Sequence, residues 1–273
     1  MLKLMLLSDD PVVAKVAEEA GVDRIFYDLE FINKRERQAG RNTVISNYDI
    51  EGIPEIRKKL SQSELLVRIN PIYFNSRDEI NKVISYGADV IMLPMVLDHY
   101  DVEKFVSYVN GKAKTCVMIE TPQALARLDS ILEVEGIDEI FIGLNDLHIG
   151  MGLTFMFELL SGGLVEYVAQ ACKQKKIPFG FGGIAKINQG DLPAEYIVGE
   201  HYRLGSTSVI LSRIFKNCFT SDGKADINFD FQKEIEKIRY QEKECSMWTA
   251  QQHEENRKNV CARVKMIVSK YLK

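Results

Sequence analysis

The chain lacks what would tie it to an oxidising compartment, a membrane or a polyanion. Its five cysteines, Cys116, Cys172, Cys218, Cys245 and Cys261, are odd in number and none stands in a CxxC pair. That argues against a disulfide framework or a clustered thiolate site and points to free thiols in a reducing cytoplasm. No apolar run approaches the roughly 20 residues that span a bilayer. The N-terminus, Met1-Leu2-Lys3-Leu4-Met5-Leu6-Leu7-Ser8-Asp9-Asp10, turns acidic too soon for a signal peptide. Formal net charge is −4 over 273 residues, with both signs spread along the chain, so no basic stripe offers itself to nucleic acid or an anionic membrane surface. The first apolar run is also not followed by a glycine-rich phosphate turn: Leu7-Ser8-Asp9-Asp10-Pro11 stands there, against a doubly wound dinucleotide fold.

What is present is alternation. Apolar runs at Lys3–Leu7, Arg24–Asp28, Leu65–Ile69, Val90–Leu93, Thr115–Ile119, Glu139–Ile142, Pro178–Phe181 and Tyr202–Leu204 are apolar throughout rather than every second residue, the mark of parallel strands covered on both faces. Helical periodicity fills the spaces between, at Pro11–Ala20, Pro54–Leu60, Asp78–Ser85, Val102–Val109, Gln123–Leu132 and Met156–Lys175. A weak repeat punctuates them. Gly21-Val22-Asp23, Gly87-Ala88-Asp89 and Gly136-Ile137-Asp138 each close a helix and open an even-numbered strand, Gly serving the left-handed helix end and Asp the short turn. About eight strand–helix units with this punctuation predict a (β/α)8 TIM barrel over residues 1–216. Residues 217–273 form a separate, charged, helical C-terminal extension, with Val260, Val264, Ile267, Val268 and Tyr271 at helical spacing, which is expected to pack on the barrel or on a partner subunit.

In such a barrel, chemistry gathers where strands end. Strand two ends in Asp28-Leu29-Glu30, strand three in Arg68-Ile69-Asn70, strand five in Glu120-Thr121-Pro122, and strand six in Gly143-Leu144-Asn145-Asp146-Leu147-His148. Glu120 and Asp146, on adjacent strands, can hold a hard cation, Mg²⁺ or Mn²⁺, that keeps other positions for substrate oxygens. A cation so held can stabilise an enolate beside a carbonyl. Arg68 can stabilise the same oxyanion, with Asp28 and Glu30 as further catalytic candidates. The Gly143-Leu144-Asn145 turn can offer N–H groups to a substrate carboxylate. Each residue also has a plainer role: Glu120 and Asp146 as helix caps, Arg68 as an ion-pair partner of Asp28 or Glu30, and His148, otherwise a candidate base behind the metal ligands, as a solvated loop side chain. Lys34, Arg35, Arg37 and Arg41 cluster after strand two and suit either an anionic substrate or solvent. Gly180-Phe181-Gly182-Gly183 and Gly205-Ser206-Thr207, read as following strands seven and eight, occupy the usual barrel phosphate position.

The strings VRIN, GADVIMLPMV, MIETPQAL and VEGIDEIFIGLNDL resemble the HpcH/HpaI aldolase and citrate lyase beta-subunit family, in order and without large gaps from about Leu2 to Phe215. The resemblance implies a metal-dependent barrel lyase acting through the enolate of pyruvate or a related 2-oxo acid, with a second carbonyl substrate and a cytoplasmic homo-oligomer. It assigns Glu120 and Asp146 to the metal, Arg68 to the keto oxygen, and Gly143, Leu144 and Asn145 to the pyruvate carboxylate. Two positions depart from the aldolase branch: Phe31 replaces the histidine expected after Asp28-Leu29-Glu30, and Met118 replaces a glutamine two residues before Glu120. The same site would also suit an acyl-CoA or phosphorylated sugar-acid lyase. The departures admit a third reading, a barrel altered in catalysis that serves as a binding or assembly subunit.

Overall fold

The computed structural model describes residues 1–32, 48–216 and 230–271. Lys34, Arg35, Arg37, Arg41 and the expected boundary at residue 217 lie outside the described residues. Eight parallel strands, β1 (Lys3–Leu7), β2 (Arg24–Asp28), β3 (Glu64–Arg68), β4 (Val90–Leu93), β5 (Lys114–Ile119), β6 (Glu139–Ile142), β7 (Phe179–Ile184) and β8 (Ser208–Leu211), pair in sequence order. β1 closes on β8 with Leu4 opposite Val209, so this is a (β/α)8 barrel with helices between the strands.

The glycine punctuation acts as expected. Gly21, Gly87 and Gly136 all have φ near +90°, where a side chain would be strained. The aspartates that follow do more than turn the chain. Asp23, Asp89 and Asp138 accept the backbone N–H of Leu4, Leu65 and Thr115 through a carboxylate oxygen at 2.7–2.8 Å. Each returns its own N–H to the carbonyl of that same residue. Every such pair clamps an even strand to the odd strand before it at the lower rim, the end of a barrel associated with stability.

Some elements differ from the sequence reading. Tyr202–Leu204 is the last turn of a helix, Ala194–Leu204, closed by Gly205 at φ 70°, and the eighth strand begins only at Ser208. Gly205-Ser206-Thr207 therefore precedes β8 and lies at the lower rim, away from the mouth. Gly180–Gly183 is part of β7 itself, with an irregular register against β8. The segment linking β5 to β6 forms two short helices, Pro122–Ala126 and Leu128–Leu132, broken at Arg127, whose φ of −114° and ψ of 21° leave the helical region. Likewise Gly162 and Gly163 divide Met156–Lys175 into Glu158–Ser161 and Leu164–Lys175.

The barrel interior is layered. At the bottom Arg24, fully buried, reaches Glu139 through two bonds of 2.9 and 2.8 Å and Glu64 through two of 3.1 and 2.5 Å. Lys3 and Lys114 flank the same carboxylates. Above lies an apolar layer containing Met5, Phe26, Leu66, Met92, Met118 and Phe141. Aliphatic and aromatic side chains on the outer strand faces form the larger core against the helices.

The C-terminal helices Phe231–Ser246 and Ala250–Tyr271 pack on the barrel through Phe231, Ile235, Ile238, Val260 and Val264, all buried. Arg239 donates to the Leu2 carbonyl and to Asp23, while Glu242 accepts the Leu2 N–H. Asn256 donates to the Tyr196 carbonyl and to Glu200. Gly199 permits that approach, since a Cβ there would lie 2.7 Å from Asn256 Nδ2 and from the Trp248 ring. No helix among the described residues is long and apolar enough to cross a membrane.

Candidate active site at the barrel mouth

The upper ends of β2, β3, β5 and β6 bring the expected residues together. Asp28 and Arg68 are register partners on β2 and β3. Arg68 donates from Nε and Nη2 to the two Asp28 oxygens, each at 2.8 Å, and stands 3.3 Å from Glu30. Its guanidinium also lies over the Phe26 ring at 5.2 Å. Burial works against its charge, yet Asp28 and Glu30 outweigh that and hold it charged far above any physiological pH. The ion-pair role and a place at the mouth are thus both realised. The remaining nitrogen, Nη1, faces the Met118 sulfur at 3.8 Å, in the position where a glutamine was expected.

Glu120 follows β5 and is almost fully buried. It does not cap a helix: Thr121 does, accepting the Ala124 N–H at 2.9 Å and donating to the Val96 carbonyl at 2.6 Å. Glu120 Oε1 accepts the N–H of Met95 at 2.9 Å. Met95 holds φ at 52°, a left-handed conformation that a non-glycine residue adopts at a cost of about 1 kcal/mol. Strain is thus spent where the β4 loop grips the carboxylate. On the other side Gly143, next after β6, leaves the space: a Cβ there would sit 2.5 Å from Glu120 Oε2. Burial first, then the charges of Asp146 and Glu30, push the Glu120 carboxyl up to about 8, against the opposing pull of Arg68 and the Met95 N–H.

Asp146 is half-buried in the first turn of the helix Leu144–Gly150, where the helix dipole also favours an acid. The Gly143 N–H is already used, donating to the Ile119 carbonyl at 3.1 Å; Leu144 and Asn145 open the helix, with N–H groups that have no intrahelical acceptor. His148 is buried, with Nδ1 3.1 Å from the Leu144 carbonyl, so it is neither the solvated side chain expected nor one that lines the mouth. Phe31 is exposed and contributes its N–H to Asn70 Oδ1.

Arg68, Glu120, Asn145 and Asp146 line one cavity of about 220 Å³ together with Met118, Phe141, Gly143 and Leu144. Its two carboxylates are hard oxygen donors of the kind that suit Mg²⁺ or Mn²⁺. Among the described residues no group of three or more His, Cys, Asp or Glu side chains converges on a metal-sized site, so a cation held here would keep positions for water and substrate. Two contributors escaped the sequence reading. Met95 acts through its backbone, which no side-chain pattern reveals. Asn70 ties the loop after β2 to that after β3, accepting from Phe31 and Ile32 and donating to Glu79; its place after strand three was visible, its partners were not.

Fold and mouth together define a barrel with two acids and an arginine at the strand ends, and comparison with known proteins agrees. The chain belongs to the HpcH/HpaI aldolase/citrate lyase family, whose model matches residues 2–180. A hydroxypyruvate/pyruvate aldolase of Rhizorhabdus wittichii is 29% identical over 41% of this chain and 59% of its own length. A 2-keto-3-deoxy-L-rhamnonate aldolase of Escherichia coli O17:K52:H18 is 43% identical over 55% of this chain and 61% of its own. The chain thus spans about three-fifths of the length of these relatives. A crystal structure of an HpcH/HpaI aldolase from Desulfitobacterium hafniense DCB-2 superimposes with a TM-score of 0.59 at 17% identity, covering 77% of this chain and 86% of that one, a likeness of fold.

Proposed function

We propose that this chain is a divalent-metal-dependent carbon–carbon lyase that forms or cleaves the bond beside a 2-oxo acid such as pyruvate. The observation that carries the reading is Glu120: a buried carboxyl, pushed upward by burial and by Asp146, in the same cavity as a permanently charged arginine. Glu120 and Asp146 would hold a cation, which would relieve that repulsion, and the pair fits Mg²⁺ or Mn²⁺ by donor type. The names of the aldolase relatives are in keeping with it.

The bound cation supplies Lewis-acid stabilisation of negative charge on the substrate oxygens. The chain supplies the rest. Arg68, gripped by Asp28, presents Nη1 toward the keto oxygen and stabilises charge that develops there. Asp28 is then a positioning residue rather than a base. Glu30, whose charge reaches both Arg68 and Glu120, is the carboxylate we assign to proton transfer. The N–H groups of Leu144 and Asn145 receive the substrate carboxylate at the start of their helix. Gly143 contributes close approach rather than a hydrogen bond.

Calorimetric titration with Mg²⁺ or Mn²⁺, with and without pyruvate, tests the reading. Each ligand is expected to tighten the binding of the other. Absence of any ternary complex would turn the assignment toward a binding or assembly subunit. The phosphorylated-substrate alternative gains nothing from Gly205-Ser206-Thr207, which lies at the opposite rim.

A further inference from the structure

Among the described residues, the cavity at the mouth carries polar side chains on one flank only. Arg68 on β3, Glu120 after β5, and Asn145 and Asp146 after β6 carry all the charged and amide side chains among its described lining. The floor is Met118 and Phe141, from the apolar layer beneath. The far wall comes from β7 and β8, the side of the closed barrel opposite β3 and β4. There Gly182 and Gly183 offer no side chain and Ile210 only carbon, while Met156, from the segment after the helix Leu144–Gly150, adds a thioether. The irregular register between Gly180 and Gly183 brings bare backbone to the cavity, and a Cβ on Gly182 would meet Leu144 at 2.8 Å. The space, about 220 Å³, opens to solvent at the barrel mouth.

Resting on the 2-oxo acid reading above, we propose that the second substrate, the aldehyde joined to or released from C3 of the 2-oxo acid, is a short unbranched alkanal. It carries no charge or hydroxyl beyond its reacting carbonyl. The 2-oxo acid takes the polar flank, leaving the aldehyde's chain to the floor and far wall. Among the described residues a hydroxyl or phosphate placed there would find no side-chain partner. The step is redox-neutral in the condensing direction. C3 loses one proton and forms the new bond to the aldehyde carbon, the aldehyde C=O π bond opens, and its oxygen takes one proton.

Two measurements separate this inference from the reading it rests on. Exchange of pyruvate methyl protons for deuterium, followed by NMR with Mg²⁺ or Mn²⁺ and no aldehyde, reports enolisation alone. With exchange present, acetaldehyde, propanal and butanal are expected to condense with kcat/KM about 10- to 100-fold above glycolaldehyde, glyceraldehyde and glyceraldehyde phosphate, the range an apolar pocket can deliver. Exchange combined with a preference for hydroxylated or charged aldehydes overturns the inference and leaves the lyase reading standing. No exchange with either metal overturns both. A binding readout needs no turnover: 2-oxopentanoate should raise Tm more than 5-hydroxy-2-oxopentanoate, whose hydroxyl lies on the carbon beyond the one that carries the reacting oxygen, and the reverse order counts against the inference. Ile210→Ser, or Met156→Gln if the first fails to fold, should lower the alkanal-to-hydroxyaldehyde ratio. An unchanged ratio in a folded variant removes the wall from specificity.

Discussion

The two ends of the barrel each bury an arginine among carboxylates, and they resolve the charge in opposite ways. At the bottom, Lys3, Arg24 and Lys114 surround Glu64 and Glu139. Glu64 is held down to about 2 despite its burial, by hydrogen bonds from Lys114 and Arg24, and Glu139 is lowered as well. At the mouth Arg68 is drawn to Asp28 and Glu30, and Glu120 nearby is pushed up to about 8. One layer is neutralised by the chain itself. In the other, burial and the charges of Asp146 and Glu30 push Glu120 up against the pull of Arg68, a repulsion that a bound cation would relieve. The contrast separates a structural ion network from a candidate site without reference to sequence position.

The largest way to break the contrast is Glu120→Gln. The amide keeps the volume and can still accept the Met95 N–H, so folding should survive, while the site loses a charged donor. Turnover is expected to fall by about 10³-fold or more, the equivalent of several kcal/mol of lost Lewis-acid stabilisation, and calorimetric Mg²⁺ binding with it. Retained activity, or full activity in EDTA, would sink the assignment. The counterpart is Glu139→Ala, which strips Arg24 of its two-bond partner in the dry interior. It should cost about 3–5 kcal/mol in denaturant unfolding, with turnover per folded molecule unchanged. A cost below about 1 kcal/mol would mean that Glu64 alone satisfies Arg24.

Acidity offers a gentler test, because the two ends respond with opposite sign. Glu120 has a folded value near 8, above its ordinary 4.5, so between those values the folded state binds the extra proton. Its contribution in the cation-free protein is therefore lost as pH rises from about 5 to 8. Glu64, near 2 against the same ordinary value, contributes stability that is present above about 4.5 and lost as pH falls toward 2. Thermal unfolding in EDTA should show Tm declining from pH 5 to 8 more steeply in the wild type than in Glu120→Gln, and saturating Mg²⁺ should flatten the wild-type slope. Parallel slopes in EDTA would show that Glu120 does not titrate in this window.

How much of this contrast was legible in the chain follows from what is local and what is not. The Gly-x-Asp punctuation is local, and with the apolar runs it gave the barrel and placed Glu120, Asp146 and Arg68 at one rim. Tyr202-Arg203-Leu204 was too short an apolar run to distinguish strand from helix end. The deciding signal was Gly205 directly after it, a left-handed helix cap. The lower ionic layer was missed because Arg24, Glu64 and Glu139 each open a strand and look like ordinary exposed turn residues. Register sets Arg24 beside Glu64, but only closure of the sheet brings Glu139 across, 115 residues away. The hold on Glu120 was invisible for a different reason: it is a backbone N–H on a residue whose side chain carries no hint of it.

The finest comparison concerns sulfur. Each buried guanidinium touches a thioether, Arg24 Nη1 at 3.8 Å from Met5 and Arg68 Nη1 at 3.8 Å from Met118. At the bottom the same Nη1 also bonds Glu139, so Met5 is packing. At the mouth Met118 is a described neighbour of the nitrogen assigned to substrate, where the resemblance predicts a glutamine. If the thioether only fills space, Met118→Leu keeps volume and apolarity and should cost less than about 1.5 kcal/mol in unfolding, with kcat/KM for the 2-oxo acid altered by less than about tenfold. Arg68 would stay in place through Asp28. A larger loss in kcat/KM at unchanged stability would show that the sulfur aims the guanidinium. The replacement of glutamine by methionine would then be an adjustment of the reaction rather than of the packing.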